Sequence, residues 1–170
     1  MCGLAGTIVS KGVDFSSRVT PAQLHVALNQ FLETKSEEGC AALYELAKKY
    51  RSDCNFLSYF DSEYERDEIQ GILDRISELI SAAAVDPLKS RSELLSKSER
   101  WQVQQIQDIE WFLGVELEVR YKFVTDFLIY KDLLKPEVIV FYKALATIIN
   151  SINILEIRGR DSLGLLLQIR

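Results

Sequence analysis

A cysteine is the second residue of the chain, in the run Met-Cys-Gly-Leu-Ala-Gly-Thr-Ile-Val. Once Met1 is removed, Cys2 carries both a thiol and an α-amino group whose unperturbed pKa is about 8. An N-terminal nucleophile uses this amine to take the proton from its own side chain, so it needs no separate histidine, and the chain has only one. Gly3 and Gly6 allow a substrate or a neighbouring backbone to approach closely. The first residues therefore suit nucleophilic attack by Cys2.

A second motif lies near the other end, where residues 155–164 read Leu-Glu-Ile-Arg-Gly-Arg-Asp-Ser-Leu-Gly. Together the two segments resemble class II glutamine amidotransferases, which use an N-terminal nucleophile (Ntn). Within that family, the Leu-Glu-x-Arg-Gly-x-Asp-Ser form is most similar to the glutamine:fructose-6-phosphate amidotransferases, the glucosamine-6-phosphate synthases. The resemblance covers residues 1–12 and 136–170 and does not extend to the stretch between them.

The resemblance implies a role for each matched residue. Cys2 would attack the side-chain amide of glutamine, form a glutamyl thioester and release ammonia. Arg158 would form a two-pronged ion pair with the α-carboxylate of glutamine, which suits the planar guanidinium group. Gly159, Asp161 and Ser162 would shape the loop that aims this arginine. No cofactor and no metal ion is expected.

Several parts of the family's glutamine site do not occur in the 170 residues. The family also uses a His-x-Arg-Trp segment, an Asn-Gly pair that forms the oxyanion hole and an aspartate that binds the substrate amine. Loss of an oxyanion donor typically lowers the rate by about 10²- to 10³-fold, so we expect these 170 residues alone to be inactive. We therefore expect the N-terminal part of a longer protein, whose missing C-terminal domains would bind the sugar-phosphate acceptor.

Composition narrows the class of protein. Lys plus Arg number 20 against 25 Asp plus Glu, which gives a net charge of −5, and the sequence has no basic block. Nucleic acid and membrane are therefore not expected as partners, although a homo-oligomer remains open. No apolar run approaches the roughly 18 residues of a membrane span. Three cysteines without CxxC spacing form neither a disulfide framework nor a zinc site, and we predict a cytoplasmic protein.

Hydrophobic periodicity predicts two short strands and a series of helices. The strands are residues 2–9 and 163–169. Thr20-Pro21 and Ser36 are typical helix starts, and further helices are expected over residues 64–84, 101–113 and 137–154, with a short aromatic turn or helix at 53–60. Residues 114–123 alternate as in a strand, but Glu116 with Arg120 and Glu118 with Lys122 are also i,i+4 pairs, so we favour a helix.

The expected fold is mostly α, with a helical bundle inserted into the opening strand, helix and strand of an αββα Ntn amidotransferase layer. The two strands from the chain ends would pair antiparallel. Residues 1–13 and 136–170 would form the partial amidotransferase layer, and residues 14–135 the helical insertion domain. The two ends of such an insertion must lie close together in space.

Simpler interpretations compete with these functional ones. The helical part could be a non-catalytic interaction or oligomerisation module, and the resemblance could be a coincidence. Cys40 and Cys54 are expected in the core, and His25 is expected to be structural, without a second metal ligand nearby. Core positions are also expected for Trp101, Trp111 and Phe112, with a partner-binding patch as the alternative.

Overall fold

The computed structural model describes residues 15–85, 97–127 and 135–157, with side chains described over 15–81, 100–127 and 135–151. Within these ranges the protein is helical and contains no strand. The mostly α class is therefore confirmed for the described residues. The predicted strands at 2–9 and 163–169 lie outside them, so the Ntn layer and the division of the chain at 13/14 and 135/136 stay predictions.

Helices α1 (Pro21–Thr34) and α2 (Glu37–Tyr50) begin where the sequence predicts. Thr20 and Gln23 form a capping box, in which each side chain accepts a hydrogen bond from the other's backbone N–H. Ser36 caps α2 by accepting from the N–H of Gly39 at 3.1 Å. Between the two helices Lys35 adopts a left-handed conformation with φ 48°, which ends α1 and reverses the chain.

Helices α3 (Asp53–Asp61) and α4 (Glu63–Val85) follow. The aromatic stretch at 53–60 is thus a helix, and its apolar side chains are buried. Asn55 is fully buried on α3 and bonds both backbone groups of Val19, since its Oδ1 accepts from Val19 N at 3.1 Å and its Nδ2 donates to Val19 O. This pair of hydrogen bonds fastens the segment before α1 to α3.

A nearly continuous helical rod then runs from α5 (Lys97–Glu110) through a π-helical segment (Trp111–Glu116) into α6 (Leu117–Phe127). The helix favoured for residues 114–123 is confirmed. A strand would place Val115, Leu117 and Val119 on one face. Leu117 is instead 2% exposed, whereas Val115 and Val119 are 52% and 40% exposed. The start of α5 at Lys97 lies four residues before the predicted start at 101.

Helix α7 (Pro136–Ile157) is slightly longer than the predicted 137–154. Its apolar spacing predicts an inward stripe of Val138, Phe141, Tyr142, Leu145, Ile148, Ile149 and Ile152. The buried residues are instead Ile139, Val140, Lys143 and Ala146, and Val138 is exposed. The packing of α7 on α6 and α3 selects this face. The predicted stripe followed the largest apolar side chains and passed over a lysine and an alanine.

The helices share one hydrophobic core. Helix α1 packs on α2 and α4, α2 packs on α5, and α6 packs on α7. The largest fully buried side chains come from all helices except α7, namely Leu24, Leu28, Leu43, Tyr50, Phe56, Ile69, Ile72, Ile76, Ile109, Leu113, Leu117 and Val124. Phe15 and Pro136, which lie next to the two ends of the predicted insertion in the chain, line the same groove.

Candidate functional site

The residues that the sequence nominates for catalysis lie outside the described residues. They are the nucleophile Cys2 and the glutamine-binding set Arg158, Gly159, Asp161 and Ser162. Helix α7 ends at Ile157, directly before Arg158 in the chain. The roles of these five residues stay predictions.

The described residues instead bring together a cluster of charged side chains around a cavity of about 780 Å³. The walls come from residues 16–19, the C-terminal end of α2, the first residues of α3, and the inner faces of α6 and α7. We call this space the basic cavity, because six basic side chains and one acidic side chain line it. The six are Arg18, Lys48, Lys49, Arg51, Arg120 and Lys143.

Glu116 is the charged centre of one wall. It ends the π-helical segment, is 4% exposed, and forms ion pairs with Arg51 from α2's end and with Arg120 one turn later. Arg51 Nη2 donates to Oε1 of Glu116 at 2.9 Å, while Arg51 Nε lies 2.8 Å from Oε2 without hydrogen-bond alignment. Arg51 also stacks over the ring of Phe112 at 4.5 Å. One buried carboxylate is thus shared by two guanidinium groups.

Lys143 crosses from α7 to the start of α3. Its Nζ donates to the backbone oxygen of Arg51 and to Oδ1 of Asp53, both at 2.7 Å, and the residue is 6% exposed. Burial lowers the pKa of the Lys143 ammonium, and the neighbouring Asp53 opposes this effect. Burial likewise lowers the pKa of Arg120, against the influence of Glu116. These cations therefore lie in an environment that disfavours positive charge.

A second buried carboxylate, Glu65 on α4, holds the segment before α1. Arg18 pairs with its Oε1, and the Tyr50 hydroxyl donates to its Oε2 at 3.0 Å. Burial raises the pKa of the Tyr50 phenol, and the charge of Arg18 opposes this. Together with the Asn55–Val19 bonds, these contacts fix the wall of the basic cavity formed by residues 16–19.

Ion pairs do not balance the charge of the basic cavity. Within the described part of the chain, four carboxylates pair with its cations, namely those of Glu45, Asp53, Glu65 and Glu116. Six cations against four carboxylates leave two positive charges in excess. The whole chain is acidic, with a net charge of −5, so this local excess is a specific feature of the cavity.

Part of this charged cluster is predictable from the sequence. Glu116–Arg120 and Glu118–Lys122 are ion pairs at i,i+4, as predicted. The sequence did not indicate that the first pair is buried or that Arg51, 65 residues earlier, joins it. The one local indication that Lys143 is buried is its position in the otherwise apolar stretch 138–146.

The expectation that the tryptophans belong to the core is wrong, whereas the one for Phe112 is confirmed. Trp101 and Trp111 are 40% and 41% exposed, and Phe112 is 9% exposed. Trp111 is two residues from both Ile109 and Leu113, which are buried, and two residues turn a helix by about 200°. Trp111, Val115 and Val119 therefore form an exposed stripe on the outside of the rod.

The two remaining cysteines and the histidine lie in the packed interior or at a helix–helix contact. Cys40 and Cys54 are buried free thiols, as predicted, and burial raises the pKa of Cys40 from 9.0 to about 11. His25 Nε2 lies 3.1 Å from Glu68 Oε2 at the contact of α1 with α4. Among the described residues no group of His, Cys, Asp and Glu side chains could hold a metal ion.

None of the described helices combines the length and hydrophobicity needed to span a membrane. No family model, no curated protein and no solved structure matches this chain.

Proposed function

We propose that the chain is the N-terminal part of a class II glutamine amidotransferase that hydrolyses glutamine to glutamate and ammonia through Cys2. The observation that carries the proposal is the pair of motifs at residues 1–9 and 155–164, in the order that the family uses. The similarity of the second motif to the glucosamine-6-phosphate synthases favours fructose 6-phosphate as the acceptor of the ammonia.

The described helices are compatible with an insertion between the two motifs. Phe15 and Pro136 line one groove, so a chain that leaves a first strand could return to it through α7. The bonds of Asn55 to Val19 fix one of these ends, and the ion pair of Lys143 with Asp53 ties α7 to the same helix α3. The segment before α1 and the helix α7 that follows the insertion are thus both fastened to α3.

The proposed reaction has two steps at Cys2. The α-amine takes the thiol proton, and sulfur attacks the side-chain amide carbon of glutamine to form a carbon–sulfur bond. The carbon–nitrogen bond then breaks, and the amine returns its proton to the leaving ammonia. Water next cleaves the thioester to release glutamate and the free thiol. Arg158 holds the α-carboxylate of the substrate through both steps.

Steady-state hydrolysis of glutamine by the natural full-length protein tests this proposal. Cys2→Ala removes the nucleophile and should abolish hydrolysis, whereas Cys54→Ala, which removes a buried thiol, should retain it. Arg158→Lys should raise KM for glutamine about 10- to 100-fold, because an ammonium cannot reproduce the bidentate contact. Hydrolysis at the wild-type rate by the Cys2→Ala protein would refute the proposal.

The helical unit would have a non-catalytic role in assembly or regulation. Replacing residues 14–135 by a short Gly/Ser link in the full-length protein should then leave hydrolysis measurable. The deletion would expose Ile139 and Val140 of α7, which are 3% exposed in the bundle, so it should carry polar residues at these two positions. Loss of hydrolysis in a deletion variant that is folded by circular dichroism would assign the helical unit to the glutamine site.

An alternative function, a non-catalytic interaction or oligomerisation module, is favoured by the exposed stripe of Trp111, Val115 and Val119. Sedimentation velocity over a range of concentrations tests self-association through this stripe. The module proposal expects an oligomer that Trp111→Gln with Val119→Gln dissociates. A monomer at every concentration would remove self-association as the role of the stripe.

A further inference from the structure

We propose that the basic cavity binds a small molecule that carries a phosphate or diphosphate group. This binding is independent of the amidotransferase activity, because it involves different side chains, namely Arg18, Lys48, Lys49, Arg51, Arg120 and Lys143. These cations come from residues 16–19, α2, α6 and α7, so only the folded chain brings them together.

The charge of the basic cavity fits a phosphate group. The cavity has two positive charges in excess of its paired carboxylates, and a phosphate monoester carries about −1.5 to −2 charges at pH 7. A carboxylate ligand would neutralise only one of the two. Guanidinium groups and lysine ammonium groups are the side chains that commonly bind phosphate oxygens.

The inner wall offers one N–H donor of Lys143 beyond those in its two hydrogen bonds. Lys143 has three N–H donors, and contacts with Arg51 and Asp53 in the described part of the chain account for two of them. The N-terminus of α3 also borders the cavity, and its N-cap residue Ser52 does not cap the first turn with its side chain. The positive end of the α3 helix dipole therefore faces this side of the cavity and favours a negative charge there.

The size of the basic cavity indicates a small molecule. About 780 Å³ is within the usual range of roughly 300 to 1,000 Å³ for small-molecule sites, and it exceeds the need of an inorganic ion. Lys143 and Arg120 are 6% and 8% exposed, which places two of the six cations at depth. A nucleic acid backbone contacts charges on an accessible surface, and so do lipid headgroups in a bilayer.

Isothermal titration calorimetry with inorganic pyrophosphate at constant ionic strength tests the proposal. We expect saturable binding at one site per chain. Lys48→Gln with Lys49→Gln removes two exposed cations at the rim and should raise Kd about tenfold. Lys122→Gln with Lys135→Gln removes two exposed cations outside the cavity and has the same net charge, so its Kd should stay within about twofold of wild type.

Lys143→Met tests the inner wall, since it removes the buried ammonium while Asp53, whose side chain is 40% exposed, stays hydrated. With folding checked by circular dichroism, we expect pyrophosphate affinity to fall at least about 30-fold. The absence of saturable pyrophosphate binding to the wild-type protein would overturn the proposal. An equal rise of Kd in the two double-lysine variants would also overturn it, because pyrophosphate would then be attracted by the net charge of the protein and not by the basic cavity.

Discussion

Replacement of Glu116 by glutamine should be among the most destabilising single changes in the helical unit. The Glu116 side chain is 5% exposed and is paired with both Arg51 and Arg120. Glu116→Gln keeps the shape of the side chain, but it leaves two guanidinium groups facing a neutral amide. The change therefore isolates the contribution of the negative charge.

The size of the effect follows from the contacts. Two unit charges about 4 Å apart attract by about 4 kcal/mol at an effective dielectric constant near 20, and Glu116 has two such partners. Two effects reduce the loss, because the side chain of Arg51 is 35% exposed to water and neutral Gln is easier to bury than Glu. We expect a loss of about 3 kcal/mol in the free energy of unfolding, which lowers Tm by about 6–12 °C.

Urea unfolding followed by circular dichroism at 222 nm measures this loss. Glu118→Gln is the matched control, since Glu118 is two residues away on α6 and its side chain is 45% exposed beside Lys122. Its expected loss is below about 1 kcal/mol. If Glu116→Gln and Glu118→Gln destabilise the protein equally, the buried charge centre proposed for Glu116 is refuted.

Three further predictions concern other parts of the bundle. Asn55→Leu keeps the volume but leaves the N–H and C=O groups of Val19 unpaired, so urea unfolding should report a loss of about 2–4 kcal/mol, and a loss below 0.5 kcal/mol would contradict the role given to Asn55. Gly71→Ala adds a methyl group in open space within α4 and should stabilise by about 0.5–1 kcal/mol, whereas Gly114→Ala meets a side chain at 3.3 Å and should show no such gain. Burial raises the pKa of Cys40 from 9.0 to about 11, so the thiol loses its proton at a lower pH in the unfolded chain than in the folded protein. The free energy of unfolding should therefore fall between pH 9 and pH 11, by about 1.4 kcal/mol per pH unit for this thiol. Urea unfolding of Cys40→Ala should show a pH dependence that is weaker by this amount.

The parts of the fold that the sequence predicts are those set by local chemistry. Thr20 before Pro21 and Ser36 before two glutamates mark the starts of α1 and α2, because a cap and its helix are neighbours in the chain. The pairing of Glu116 with Arg120 was visible for the same reason. The helix at 114–123 followed from its i,i+4 pairs in spite of the alternating pattern.

The parts that could not be predicted depend on contacts between distant segments. The partner of Glu116 at Arg51 and the partner of Lys143 at Asp53 are 65 and 90 residues away in the chain. The π-helical segment that carries Glu116 departs from the 3.6-residue period on which helix prediction relies. The basic cavity arises only when these elements meet, so no local motif could have indicated it.

Covalent labelling of the natural full-length protein tests the proposed chemistry most directly. After treatment with a glutamine-analogue electrophile, intact-mass and peptide mass spectrometry would locate the label. We predict loss of Met1 and a single modification on Cys2, with Cys40 and Cys54 unmodified because they are 0% and 2% exposed. Excess glutamine should protect Cys2 from the label. A label found on Cys40 or Cys54 with Cys2 left free would contradict the nucleophilic role of Cys2.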